Sequence, residues 1–227
     1  MTGGDNLSVR LASSLVLAPL ALAAAWIGGT AFVIFWAGAA VIIGWEWIKL
    51  VAPARDPTPW RVAGLIYAAI VFIAPVLLRA DINNGFAALV FLFAIVWMTD
   101  IMGYAVGRVV GGAKLWQAVS PNKTRSGAVG GMAGALAAGI VIAAWLSLAV
   151  LPIAILSVIL SMVAQAGDLF ESALKRRFGA KDTGHLIPGH GGLMDRLDGF
   201  IAAALIAAMI GIVHGGFAAA ATGLLVW

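Results

Sequence analysis

GDLFESALKRRFGAKDTGHLIPGHGGLMDRLDG, residues 167–199, is a long charged stretch in a chain that is otherwise apolar. From Asp168 to Asp198 it holds five of the ten acidic residues, five of the fourteen Lys/Arg and two of the three histidines. Apolar runs of about 20 residues lie on either side, long enough for a helix to span a bilayer. The stretch therefore reads as a wet, charged site set into a membrane protein.

Composition bounds the fold in the same direction. Of 227 residues, 63% are hydrophobic and 11% charged, where a soluble domain carries about 25% charged residues. In lipid each backbone polar group has to be satisfied within its own segment, which favours helices, and the alternation of a membrane β-barrel is absent. The expected fold is all-α: a polytopic transmembrane helix bundle of about seven spans, forming a single integral membrane domain over 1–227. The spans are expected at 11–27, 30–45, 62–78, 85–107, 127–146, 148–167 and from about 200, with the tail to Trp227 a continuation or a short eighth segment. Segment 46–61, with Pro53, Pro57 and Pro59, is expected to be a non-helical connection. The N-terminal spans cover 11–78 and the catalytic part about 85–216. MTGGDNLSVR offers no convincing cleavage site, so the first span is expected to be retained. The chain has no cysteine, which excludes disulfides, thiolate catalysis and zinc-thiolate sites.

With the N-terminus cytoplasmic, the inner segments 1–10, 46–61, 108–126 and 168–198 carry thirteen of the fourteen basic residues, and only Arg79 falls outside. The positive-inside rule selects this orientation, and puts both charged loops, 108–126 and 168–198, where nucleotides are.

Ser157, Ser161, Gln165, Asp168, Ser172 and Lys175 recur at helical spacing, with Glu171 beside them. Such a stripe is expected to line a hydrated cavity or to face polar neighbours; a capping box from Asp168 to Glu171 is the plain alternative. In PGHGG (188–192), proline and glycines can aim bare N–H groups, with His190, Gly191 and Gly192, at an anion. Asp195 and Asp198 share a helix face three residues apart. They suit Mg²⁺, which binds one or two carboxylates plus substrate phosphates, although acids also favour a helix N-terminus by its dipole. Asp100, Tyr104 and Arg108 form another face at spacing four, and an acid at the end of a membrane helix is a functional candidate. The loop SPNKTRSG (120–127), a turn-forming Ser-Pro followed by Lys123, Thr124, Arg125 and Ser126, can present cations and hydroxyls to a polyphosphate, or anchor to anionic headgroups. Gly127, Gly130, Gly131 and Gly134 are expected to pack closely on a neighbouring helix. Carboxylates for metal, with metal and cations for phosphate, are the kit of phosphoryl and nucleotidyl transfer.

These motifs resemble the phosphatidate cytidylyltransferase (CDP-diacylglycerol synthase) family. The resemblance rests on Ser172-x-Leu-Lys175-Arg176, Lys181-Asp182, Pro188-Gly-His190-Gly-Gly and Asp195-Arg196-x-Asp198, with Asp100-x-x-x-Tyr-x-x-Gly-Arg108 and Ser120-Pro-x-Lys123-Thr124 upstream. It covers about 100–198. The family loop reads close to SPKKTWEG, and here Asn122, Arg125 and Ser126 replace Lys, Trp and Glu.

The resemblance implies transfer of CMP from CTP to phosphatidate, giving CDP-diacylglycerol and pyrophosphate, in a bacterial inner membrane. It implies Mg²⁺, with a second cation left open, held by Asp168 and Asp195, and by Asp198, Glu171 and Asp100 as further candidates. Lys175 and Arg196 would act with the two aspartates in catalysis. Ser120, Lys123, Thr124, Ser172, Arg176, Lys181, His190, Gly191 and Gly192 would bind CTP and the lipid phosphate. No nucleic-acid partner is expected, and a homodimer is left open. Two alternatives stand beside this reading: another CTP-dependent transferase acting on an ether-lipid phosphate or a polyprenol, and a transporter of an anionic lipid or ion. A transporter would place binding residues near the midplane in two related halves, whereas these charges gather at one face. DRLDGF does not carry the D-G-x-x-A-R run of a CDP-alcohol phosphotransferase.

Overall fold

The computed structural model describes residues 16–184, 186 and 191–227. Among the described residues, six helices are long and apolar enough to cross a membrane: α2 (Gly29–Val51), α3 (Thr58–Ala80), α4 (Gly85–Val110), α5 (Arg125–Trp145), α6 (Val150–Arg177) and α7 (Met194–Gly215). The shorter apolar helix α1 (Val16–Ile27) precedes them, and a 3-10 turn (Phe217–Ala219) leads into a six-residue α8 (Ala220–Leu225). The tail is thus an eighth segment, too short to span. The described chain is mostly helical, as expected, with one short addition. The basic loop holds a two-stranded antiparallel sheet, β1 (Lys114–Trp116) and β2 (Ser120–Thr124), pairing Lys114 with Thr124 and Trp116 with Ser120. Gly111 and Gly112, at φ +63° and +99°, let the chain leave α4 sharply enough to start it.

Close contacts gather the chain into two units. Of the described residues, the first holds 16–76, 174–184, 186 and 191–197. Its α2 runs on to Val51, six residues past the expected end of that span at Trp45. Phe32, Trp36, Ala39, Ile43, Glu46, Trp47 and Leu50 form one buried face of this helix. The helix continues because its polar side chains find internal partners: Trp47 Nε1 donates to the Trp60 carbonyl at 2.8 Å, and Glu46 is fully buried and hydrogen-bonded. Gly64 lets Trp47 lie against α3, since a Cβ there would stand 2.7 Å from Nε1. Of the three prolines, Pro53 and Pro57 lie between the helices, and Pro59 sits in the first turn of α3, where a missing N–H costs nothing.

The second unit comprises 77–173 and 198–227. Helices α4 and α5 meet through glycines, as the small-residue pattern predicts. A Cβ on Gly127 would lie 2.7 Å from the Gly103 carbonyl, and one on Gly131 2.8 Å from the Thr99 carbonyl. Helices α6 and α7 cross in the same way. A Cβ on Gly167 would meet the Asp198 carbonyl at 2.8 Å, and one on Gly199 the Ala164 carbonyl at 3.1 Å. This crossing sets Asp168 and Asp198, each next to one of those glycines, at a common point. Phe93 of α4 stacks on Phe200 of α7 at 4.8 Å. Beyond α7 the chain doubles back, and Thr222 of α8 is tied to the turn between α3 and α4.

Candidate active site

In the second unit, the polar stripe of α6 is partnered along its length. Ser157 bonds its own helix at the Ile153 carbonyl, and the Thr99 hydroxyl donates to Ser161 at 2.8 Å. Gln165 Nε2 reaches the Ala128 carbonyl at 3.3 Å. Asp168 is paired with Lys123 from β2, and Ser172 stands 3.4 Å from Asp168 Oδ1. The stripe therefore faces α4, α5 and the hairpin. Beside it opens a cavity of about 370 Å³, whose lining includes Thr99, Asp100, Tyr104, Arg108, Asn122, Lys123, Thr124 and Gln165. Asp100 thus lies on the cavity wall, while Arg108 turns to Tyr104, donating to its hydroxyl at 2.7 Å.

Two of the expected substrate-binding residues have structural partners here. The Thr124 hydroxyl is the N-cap of α5, accepting from the Gly127 N–H at 3.0 Å. Ser120 opens β2 opposite Trp116. Ser126, one of the departures from the family loop, donates to the Gly111 carbonyl and so closes the base of the hairpin.

Glu171 is buried, and Asp198 makes a side-chain hydrogen bond with it while standing beside Asp168 and Lys123. Two neighbouring carboxylates repel each other, and a cation bound between them would relieve that repulsion. Among the described residues no three Asp, Glu or His side chains gather into a ready-made metal cage. The acids at the α6–α7 crossing fit instead an ion that takes one or two carboxylates and completes its shell from phosphate and water.

The first unit holds a different arrangement. Asp195, in the first turn of α7, is nearly enclosed. Its Oδ1 accepts from Lys175 Nζ at 2.6 Å. Its Oδ2 accepts from the Thr183 N–H at 2.9 Å, the Thr183 hydroxyl at 3.0 Å and the Gly192 N–H at 2.8 Å. Three donors fill Oδ2, so Oδ1, shared with Lys175, is the oxygen with capacity left for a ligand. Gly191 adopts φ +84°, a conformation that favours glycine. The N–H of Gly192, expected to face a bound anion, points at the chain's own Asp195. Arg176, Lys181 and Arg196 are exposed, with Arg176 also reaching the Ala180 carbonyl at 3.4 Å. His190 lies outside the described residues.

Sequence reasoning missed Glu46. Its Oε1 accepts from the Leu193 N–H at 2.9 Å and its Oε2 from the Met194 N–H at 2.8 Å. The signal was the one that singled out Asp100, an acid at the end of a membrane helix, but Glu46 had been assigned to a connecting segment.

The sequence profile of the Cytidylyltransferase family matches residues 60–213. The chain is 38% identical over 258 aligned residues to the phosphatidate cytidylyltransferase of Brucella abortus biovar 1 (strain 9-941), covering 92% of this chain and 94% of that protein. It is 37% identical, with the same coverage, to the phosphatidate cytidylyltransferase of Brucella melitensis biotype 1. To that of Staphylococcus saprophyticus it is 45% identical over 127 residues, 52% of this chain and 46% of that protein.

Proposed function

The chain belongs to the cytidylyltransferase family, and from that premise we propose that it transfers CMP from CTP to phosphatidate, giving CDP-diacylglycerol and pyrophosphate. The observation that carries this reading is similarity over nearly the whole of both chains to relatives bearing that name.

The residues suit the reaction. A phosphatidate oxygen attacks the α-phosphorus of CTP; a new P–O bond forms as the bond to the bridging oxygen breaks, and pyrophosphate leaves with the electron pair. The attacking phosphate is already anionic near neutral pH, so the chain needs chiefly to position the partners and neutralise charge. Lys123 lies on the cavity wall beside Asp168 and would meet phosphate oxygens there. Arg196, Arg176 and Lys181 present exposed cations in the first unit. Lys175, paired with Asp195, stiffens the start of α7. Asp168, with Asp198 beside it at the helix crossing, would hold Mg²⁺ through one or two carboxylates, with Glu171 and Asp100 as further candidates; in the first unit, Asp195 has Oδ1 open to a ligand. The ion, when bound, supplies charge neutralisation on the phosphates. The distribution of basic residues supports a cytoplasmic face of a bacterial inner membrane.

The test is purified protein in detergent with labelled CTP and phosphatidate, with and without Mg²⁺. Lipid-linked CMP that requires the divalent ion is expected. Product with a polyprenol or an ether-lipid phosphate, and none with phosphatidate, would transfer the assignment to those substrates.

A further inference from the structure

Glu46 lies upstream of the family match at 60–213, yet its carboxylate is buried against the segment that opens α7. The first N–H groups of a helix have no partner within it, and a carboxylate there also meets the favourable end of the helix dipole. Glu46 supplies one oxygen to each of two such groups, at Leu193 and Met194. The fit is close on every side. A Cβ on Gly192 would come within 2.7 Å of both carboxylate oxygens, and one on Gly184 within 3.0 Å of Oε1. Thr183 links this carboxylate to the next. Its Oγ1 stands 3.4 Å from Glu46 Oε2 and 3.0 Å from Asp195 Oδ2, and its single proton goes to the shorter contact. Glu46 and Asp195 therefore hold the start of α7 from two sides, one through Leu193 and Met194, the other through Gly192, with Thr183 between the two carboxylates.

We infer that Glu46 is a positioning residue for the reaction: it fixes the first turn of α7, and so the placement of Asp195 and Arg196, from a helix outside the matched family region. A neutral amide cannot replace it, because glutamine offers one acceptor oxygen to two N–H donors and turns an NH₂ toward the second. The kinetic part of this inference rests on the cytidylyl-transfer reading; the structural part does not.

The experiment uses the full chain in detergent, as wild type, Glu46→Gln and Glu46→Asp. Amide hydrogen exchange of the metal-free, nucleotide-free protein is measured together with kcat, KM for CTP and the melting temperature. For Glu46→Gln the amides of 192–194 are expected to exchange about ten-fold faster or more, with peptides of α4 and α5 unchanged. The turnover number is expected to fall about 10- to 100-fold, the usual cost of losing an outer-shell partner, with KM for CTP changed less than about two-fold. Glu46→Asp, one methylene shorter, is expected to regain part of the loss. Wild-type exchange at 192–194 in Glu46→Gln, or a loss confined to KM, would overturn the inference. Should Glu46→Gln not fold, Gly184→Ala crowds the carboxylate without removing it, and wild-type exchange and turnover in that variant would overturn it equally. A wild type without cytidylyl transfer, but with fast exchange in the variant, would reject the reaction and retain the positioning contact.

Discussion

Replacing Asp168 by Asn keeps its shape and removes the charge that faces Lys123 and any phosphate-bound cation. If Asp168 carries the ion, turnover is expected to fall about 100-fold or more while the fold survives, because charge stabilisation in the transition state is the largest single term in such reactions. Turnover measured against Mg²⁺ concentration, with the melting temperature as folding control, decides this; near-wild-type turnover in a well-folded variant would remove Asp168 from the site. Asp195 answers differently. Lys175 and Asp195 are a buried pair, their side chains 13% and 3% exposed. Lys175→Met leaves the carboxylate unpaired, which costs about 3–5 kcal/mol when the pair is buried. The expected result is a large loss of stability in a denaturation assay together with lost activity, and an unchanged midpoint would show that the pair is not structural. Acids and cations recurring at helical spacing in an apolar chain marked these residues as candidates, and the family resemblance suggested their roles. Which oxygen of Asp195 is occupied was not legible, since its partners Thr183 and Gly192 lie 12 and 3 residues away across a turn.

The helices were legible through length and hydropathy, and the α4–α5 contact through its glycines. Introducing a Cβ at Gly131 is expected to force the helices apart and cost about 1–3 kcal/mol, the usual range for overpacking. The melting temperature of Gly131→Ala tests it, and a wild-type value would mean that the close approach is not required. On α6, Gln165→Leu is expected to reduce turnover more than Leu169→Ala, since Gln165 lines the cavity and bonds the Ala128 carbonyl. Equal losses at matched folded yield would make the stripe packing alone. The β1–β2 hairpin was hidden because its strands are three and five residues long and contain Pro121; the glycine pair that starts it reads equally well as a plain loop. The true end of α2 was hidden for another reason. Hydropathy sees Glu46 as a polar stop, but a carboxylate fully occupied by backbone donors is no obstacle to a continuing helix.

At the scale of the molecule, the basic-residue asymmetry predicts which loops meet the cytoplasm. The chain lacks cysteine, so single cysteines at Gln117 and Asn83 are unambiguous reporters: an impermeant thiol reagent is expected to label the second from outside and the first only after permeabilisation. The reverse pattern would overturn the orientation. On the Asn83 side, Asp81 is buried, which by itself would raise its pKa. The Thr222 N–H and hydroxyl and the N–H groups of Asn83 and Asn84 outweigh that and hold it below the ordinary value of 3.8. A lowered folded-state pKa adds stability that is present above the unfolded value and is lost as pH falls through the folded one. The tie to α8 is therefore expected to loosen only below about pH 4, the ordinary carboxylate range. Exchange at 220–225 followed from pH 6 to pH 3 tests this, with Asp81→Asn expected to abolish the pH dependence. That tie also has a genetic reading. Asp81 Oδ2 accepts from the Thr222 N–H at 2.7 Å across 141 residues of chain. A nonsense allele ending the protein at Gly216 spares every charged motif, yet strips a buried carboxylate in the third helix–helix turn of its C-terminal donors. Such an allele should behave as a missense change at Asp81, and the two lesions combined should be little worse than either alone.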